Sequence, residues 1–250
     1  MKPVARLDQA LVERGLCASR EKAQRAILAG QVRVNGQRAD KASARVRPAD
    51  DLRLVASERY VSRGGLKLEH GVREFHLDLR GLVALDVGAS TGGFTDCLLA
   101  HGAQRVYAVD VGRGQLAWRL RQDPRVVVME GVNARHLRPE SFPACFAPVD
   151  VAVIDCSFIS LRLVLPPVVA LVRISGKIVA LIKPQFEAGK AEADRGAGVI
   201  SDPAVHRRVL EEIGAFVRAQ PACRWLGVVE SPIRGPAGNL EFLACIEKTS

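Results

Sequence analysis

The chain has 250 residues, of which 48% are hydrophobic and 25% charged, and this composition excludes wholesale disorder. Its length suits one large α/β domain, or a small domain joined to a medium one. No apolar run approaches the roughly 20 residues of a membrane span, and the N-terminal residues lack the apolar core of a secretory signal. Six scattered cysteines without a C-x-x-C pair predict buried thiols in a reducing cytosol, in preference to a disulfide framework or a zinc site.

The net charge of +9 is unevenly distributed. Residues 1–60 contain 13 Lys and Arg against seven Asp and Glu, so about a quarter of the chain holds most of the positive surplus. Solvated helix faces would explain many of these charges. A small electropositive segment ahead of a nearly neutral one nevertheless favours a polyanionic partner, above all a nucleic acid.

The basic segment has the pattern of two helices followed by a hairpin. Apolar residues at helical spacing predict a helix that ends at Gly15, and Ser19 is a suitable N-cap for a second helix that ends at Gly30. A short alternating strand then reaches Asn35 and Gly36, the strongest two-residue hairpin signal. Five basic side chains are expected to face a phosphate backbone: Arg6, Arg20, Lys22, Arg25 and Arg33.

The stretch LDQALVERGLCASREKAQRAILAGQVRVNG resembles the opening of the S4 RNA-binding domain, which occurs in a ribosomal protein, pseudouridine synthases and some tRNA synthetases. The resemblance covers roughly residues 5–54. It implies a small α+β domain that docks on RNA and leaves the chemistry to the rest of the chain. The alternative is a structural helical cap whose arginines are merely solvated.

From residue 82 onward, strands alternate with helices. Apolar runs predict strands within residues 82–90, 105–112, 125–133, 149–158, 176–186, 225–231 and 240–248. Helices are predicted after the first strand, around residues 161–173, and from an N-cap at Asp202 with Pro203 in the first helical position. This alternation predicts a doubly wound, mostly parallel α/β sheet that binds its ligand at the carboxyl ends of the strands.

Polar residues at three successive strand ends predict a site for an adenosine-type cofactor. Asp110 ends the second strand, where a carboxylate would accept ribose hydroxyls, and Asn133 ends the third, where an amide would pair with an adenine edge. The first strand leads into a turn whose glycines let the backbone approach a ligand. The candidate cofactor residues of this turn are Asp86, Gly88, Ser90, Gly92, Gly93 and Phe94. Because the turn departs from G-x-G-x-x-G, a dehydrogenase with a nicotinamide cofactor is disfavoured.

Three further polar residues interrupt apolar runs in this part of the chain: Asp155, Lys183 and Glu241. Individually, they could cap a helix, extend to solvent or face outward from an edge strand. Together they predict an acid, an amine and a second acid around one edge of the sheet. In such a group, a lysine amine of lowered pKa can accept a proton from a substrate.

The segment DVGASTGGFTDCLL resembles motif I of S-adenosylmethionine-dependent methyltransferases, in the variant of the FtsJ-like ribosomal-RNA 2′-O-methyltransferases. This resemblance implies that Asp86 and residues 88–93 contact the methionine part, Asp110 the ribose and Asn133 the adenine. It also implies a Lys-Asp-Lys-Glu tetrad whose first lysine precedes motif I. At the matching positions stand Lys67, Asp155, Lys183 and Glu241, with Lys183 as the base and the other three positioning the ribose.

An S4 domain followed by such a methyltransferase resembles the TlyA family, known as haemolysin A and as rRNA (cytidine-2′-O)-methyltransferase. The segments YVSRGGLKLEHG, YAVDVG, VIDCSFISL, IKPQFE and GNLEFL match its hallmarks, so the resemblance covers nearly the whole chain. It implies an S4 domain with a short linker in residues 1–60, and a Rossmann-like methyltransferase with an antiparallel last strand in residues 61–250. It further implies S-adenosylmethionine as cofactor, and cytidine in rRNA of the large subunit, in some members also the small one, as substrate.

Other functions remain open at the level of sequence. A pore-associated haemolysin would lyse erythrocytes without cofactor, although no membrane span or strongly amphipathic basic stretch is visible. An RNA-binding protein with a vestigial methyltransferase domain would keep its activity in a ribosome assay after Lys183→Ala. A base methyltransferase acting through Cys156 stays possible, although the sequence around this cysteine lacks the expected motif.

Overall fold

The computed structural model describes residues 4–55, 59–189, 192, 196 and 198–250. The chain divides into two compact units, residues 1–59 and residues 60–250. Within the described ranges, no helix combines the length and the apolar character that crossing a bilayer requires.

The smaller unit packs two helices against short strands. Its helices are α1 (Leu7–Glu13) and α2 (Arg20–Leu28), and its strands are β1 (Ala5–Arg6), β2 (Val32–Val34), β3 (Gln37–Arg38), β4 (Arg45–Val46) and β5 (Leu52–Leu54). The predicted cap is confirmed, because the Ser19 hydroxyl accepts a hydrogen bond from the Lys22 N–H. The predicted hairpin is confirmed as well, with β2 paired to β3 across Asn35 and Gly36, both at positive φ.

The larger unit is built on a seven-stranded sheet, which confirms the predicted doubly wound α/β fold. Its strands are β6 (Val83–Val87), β7 (Arg105–Asp110), β8 (Val126–Glu130), β9 (Val149–Ile154), β10 (Val172–Ile182), β11 (Cys223–Glu230) and β12 (Phe242–Lys248). Their order across the sheet is β11-β12-β10-β9-β6-β7-β8. Strands β6 to β10 run parallel, and β12 is antiparallel to both of its neighbours.

Helices cover both faces of this sheet. They are α3 (Gly64–Glu74), α4 (Gly93–Ala100), α5 (Trp118–Arg121), α6 (Leu161–Leu171), α7 (Pro184–Glu187) and α8 (Pro203–Arg218). One apolar cluster joins the sheet to α6 and α8, and a second joins it to α3 and α4. The strand order reverses between β6 and β9, so a crevice is expected beyond the carboxyl ends of these two strands.

Candidate active site

Asp155 and Lys183 lie together because they follow adjacent parallel strands. Asp155 comes directly after β9 and Lys183 directly after β10. The Lys183 Nζ is 2.6 Å from Asp155 Oδ1 and donates a second hydrogen bond to the Ser157 hydroxyl at 2.8 Å. Two acceptors therefore fix the position of an amine that is almost fully buried.

Glu241 reaches the same edge because β12 runs antiparallel to β10. The register pairs Phe242, the first residue of β12, with Ile182, the last residue of β10, so the preceding Glu241 lies beside Lys183 at the strand end. Its carboxylate Oε2 is 2.5 Å from the Nζ of Lys67, which projects from α3. Both side chains are shielded from solvent, with 1% of Glu241 and 9% of Lys67 exposed.

All four residues of the predicted tetrad line one cavity of about 280 Å³. Within it they form two ion pairs, Lys67 with Glu241 and Lys183 with Asp155. Burial of a charge is costly unless the charge is paired, and each lysine here has its own carboxylate. The structure thus brings the four side chains together, while their individual catalytic roles stay predictions.

The turn after β6 fits closely against its neighbours. A Cβ on Gly88, which has a φ of +88°, would lie 2.6 Å from the backbone oxygen of Asp155. A Cβ on Gly93 would lie 2.3 Å from the Ser62 hydroxyl at the start of the α3 region. Glycine is therefore required at both positions, since any side chain would separate the turn from β9 or from α3.

A second cavity, of about 730 Å³, lies at the ends of β6, β7 and β9. Asp110 lines it, and its two carboxylate oxygens accept hydrogen bonds from the backbone N–H groups of Ser90 and Gly112 at 2.8 and 2.7 Å. Asn133 lines it too, and its Oδ1 accepts from the Arg135 N–H at 3.0 Å. The two cavities adjoin, since both are lined by Gly88, Ser90, Asp155 and Ser157.

The other predicted cofactor residues are placed differently. Gly93 and Phe94 line the smaller cavity, whereas Gly92 and Asp86 line neither of the two. Asp86 is fully buried beneath the turn, where its Oδ2 accepts from the Thr95 hydroxyl at 2.6 Å and its Oδ1 has no partner among the described residues. Burial raises the pKa of Asp86 to about 7, with smaller contributions from Asp155 and Asp110.

Two residues of the site were not singled out by the sequence. Ser157 is the second acceptor for Lys183, and its place two residues after Asp155 was the available signal. Phe158 is 91% exposed at a φ of +63°, with its ring 5.1 Å from that of Phe186. Cys156 lies between these residues and Asp155, and burial raises the pKa of its thiol to about 12, which disfavours a thiolate nucleophile.

In the smaller unit, the predicted RNA-binding residues are partly held by carboxylates. Asp8 is fully buried and accepts from Arg6 and Arg20, and the hydrogen bond from Arg6 is the largest cause of its strongly lowered pKa. Arg25 pairs with Glu21 on the surface of α2. The other two predicted residues are Arg33, which donates to the Gly30 carbonyl at 2.7 Å, and Lys22, which is exposed.

The part of the chain that is described contains no group of three or more His, Cys, Asp or Glu arranged to hold a metal ion.

Known proteins resemble this chain over nearly its whole length. Residues 60–248 match the FtsJ-like methyltransferase family, and residues 5–52 match the S4 domain. Over 242 residues the chain is 47% identical to TlyA of Mycobacterium tuberculosis, named as a 16S/23S rRNA (cytidine-2′-O)-methyltransferase, which covers 95% of this chain and 88% of that protein. YqxC of Bacillus subtilis, provisionally named an rRNA methyltransferase, is 49% identical, and the match covers 95% of this chain and 84% of YqxC. A solved Streptococcus thermophilus structure, provisionally named a hemolysin, is 44% identical with a TM-score of 0.75, over 100% of this chain and 90% of that one.

Proposed function

Because the chain belongs to the FtsJ-like methyltransferase family and contains an S4 domain, we propose that it methylates the 2′-hydroxyl of cytidine in ribosomal RNA, with S-adenosylmethionine as cofactor. The substrate is taken from the name of the M. tuberculosis relative, which specifies cytidine 2′-O in 16S and 23S rRNA. In this proposal residues 1–60 dock on RNA and residues 61–250 perform the chemistry. The large ribosomal subunit is the expected substrate, with the small subunit as a second one.

The larger cavity fits an adenosine-type cofactor. Its volume of about 730 Å³ is within the usual range of small-molecule sites. Each Asp110 oxygen accepts one backbone hydrogen bond and keeps a lone pair for a ribose hydroxyl, while the side-chain N–H₂ of Asn133 is available to an adenine ring nitrogen. S-adenosylmethionine would supply an electrophilic methyl group at the junction of the two cavities.

The four residues of the tetrad would handle the target ribose and its proton. Lys183 acts in its neutral amine form: the lone pair of Nζ takes the proton that the 2′-hydroxyl loses, while Asp155 and Ser157 accept hydrogen bonds from this nitrogen and hold it in place. The Lys67–Glu241 pair, formed between α3 and the start of β12, positions the ribose. Because both lysines are almost fully buried, water has little access to their amines.

A single observation supports this function most strongly: two buried lysine–carboxylate pairs line one cavity that adjoins the cofactor-sized one. The test is transfer of tritium from labelled S-adenosylmethionine to ribosomal subunits that lack the modification, followed by mapping of the labelled nucleotide. We expect label on a cytidine ribose, and none when that nucleotide has a 2′-deoxyribose. Label on a base would refute the proposal. Full activity of a folded Lys67→Ala variant would refute the role assigned to Lys67.

A further inference from the structure

Two arginines line the tetrad cavity at its surface. Arg63 immediately precedes α3, and Arg234 belongs to the loop between β11 and β12; both are exposed. Arg63 forms no side-chain hydrogen bond or ion pair with any described residue. Arg234 makes one, from Nη1 to the carbonyl oxygen of Gly238 at 3.0 Å, which holds its guanidinium without neutralising it.

These arginines give the cavity a positive surplus. Its charged lining consists of four cations and two anions, and both anions are already paired with the buried lysines. The two uncompensated charges therefore belong to Arg63 and Arg234. A cavity mouth with two free cations attracts an anion, and more strongly than the same charges would on a flat surface.

Several exposed arginines of the same unit are held by carboxylates. Arg80 donates two hydrogen bonds to Asp78 at 2.9 and 2.7 Å, and Arg224 pairs with Glu247 at 2.8 Å. Arg63 and Arg234 lack such a carboxylate among the residues that the structure describes, and they are distinguished by lining one cavity together with the tetrad. A guanidinium binds a phosphate with two parallel hydrogen bonds, a geometry that suits a nucleic-acid backbone.

Each arginine lies near a buried tetrad residue in sequence. Arg63 has helical backbone angles and precedes Lys67 by four residues, so the two side chains project from the same face of the chain. Arg234 belongs to the loop that leads into Glu241, and a Cβ on the intervening Gly235 would lie 2.5 Å from Glu241 Oε1. A ribose beside the Lys67–Glu241 pair would thus share its cavity with both guanidinium groups.

We propose that Arg63 and Arg234 form a phosphate clamp that binds the two phosphodiester groups flanking the target nucleotide. This inference rests on the proposed function, since it takes RNA to be the substrate of the tetrad cavity. The clamp recognises the backbone and not the base, so it aligns the ribose while sequence selection is left to other contacts.

The test is the salt dependence of binding to unmodified ribosomal subunits, measured with the full chain in the presence of S-adenosylhomocysteine. Each phosphate contact adds about 0.7 to 0.9 to the slope of log affinity against log salt concentration. We expect Arg63→Gln and Arg234→Gln each to reduce the slope by about that amount and to weaken binding about tenfold at low salt. Arg→Lys at either position should keep the slope and lose less affinity.

Arg80→Gln is the matched control, because it removes the same charge from an exposed arginine outside the cavity. It should leave the slope unchanged, and all variants should bind S-adenosylmethionine like the wild type. A double Arg63→Gln, Arg234→Gln variant with the wild-type slope and affinity would overturn the clamp, as would an equal loss in Arg80→Gln. Absence of methyl transfer by the wild type would instead refute the proposed function, and the slopes would still decide the clamp.

Discussion

Asp86 makes the stability of the larger unit depend on pH in a direction opposite to that of most carboxylates. The carboxyl group is fully buried, and its pKa rises from 3.8 to about 7 on folding. The folded state therefore keeps the proton over a pH interval in which the unfolded chain has lost it. The stabilisation is complete below about pH 4 and is lost as the pH rises through 7.

The magnitude follows from the two pKa values. The free energy of unfolding should fall by about 4 kcal/mol over the whole interval, of which about 2.5 kcal/mol lies between pH 5 and pH 8. In an Asp86→Asn variant the neutral amide mimics the protonated acid and can still accept from the Thr95 hydroxyl. We expect this variant to lack the Asp86 component, so the difference between variant and wild type isolates it from all other titrating groups.

Urea unfolding followed by tryptophan fluorescence provides the assay, because the chain's two tryptophans, Trp118 and Trp225, both belong to residues 60–250. Relative to wild type, Asp86→Asn should gain about 2.5 kcal/mol in stability from pH 5 to pH 8. A stability difference that is constant over this range would refute the reasoning. Thr95→Val provides a second check, since loss of its hydrogen bond removes a cause that lowers the pKa of Asp86 and should move the transition to higher pH.

Three predictions concern the proposed reaction. Lys183→Met should lower methyl transfer at least a hundredfold, with cofactor affinity unchanged by calorimetry. The control Lys177→Met removes a paired lysine from β10, the strand that leads to Lys183, and should keep transfer near wild type. Asp110→Ala should weaken cofactor binding about tenfold, and an unchanged dissociation constant would contradict the assigned ribose contact. Ser157→Ala should lower kcat several-fold and alter its pH profile while leaving cofactor affinity intact, and an unchanged profile would limit Ser157 to a structural role.

The sequence predicts the parts of the site that depend on neighbouring parallel strands. Asp155 and Lys183 end two successive apolar runs, and the carboxyl ends of adjacent parallel strands meet at one edge. The pairing of Lys67 with Glu241 has no such local signal, because it depends on the insertion of β12 between β10 and β11. The resemblance to a known family gave both residues as members of the tetrad, and the fold shows that they pair with each other.

The sequence also did not predict which charged side chains pair in the smaller unit. Arg6 and Arg20 count as free positive charges in a composition, yet both donate to the buried carboxylate of Asp8. Their partner lies two and twelve residues away and becomes common to both only when α1 packs against α2. Periodicity locates the helices but does not tell which of their charged side chains pair with each other.

The position of β12 has a consequence for how the protein is made. This strand is the last of the sheet to be synthesised, yet it occupies an interior place between β10 and β11. Until it emerges, β10 has an unprotected edge with a continuous run of apolar residues at positions 178–182, the kind of edge that invites pairing with other chains. Lys67, made 174 residues before Glu241, lacks this partner during that time. The nascent chain therefore acquires its protected sheet and its complete set of reactive side chains in the same final step.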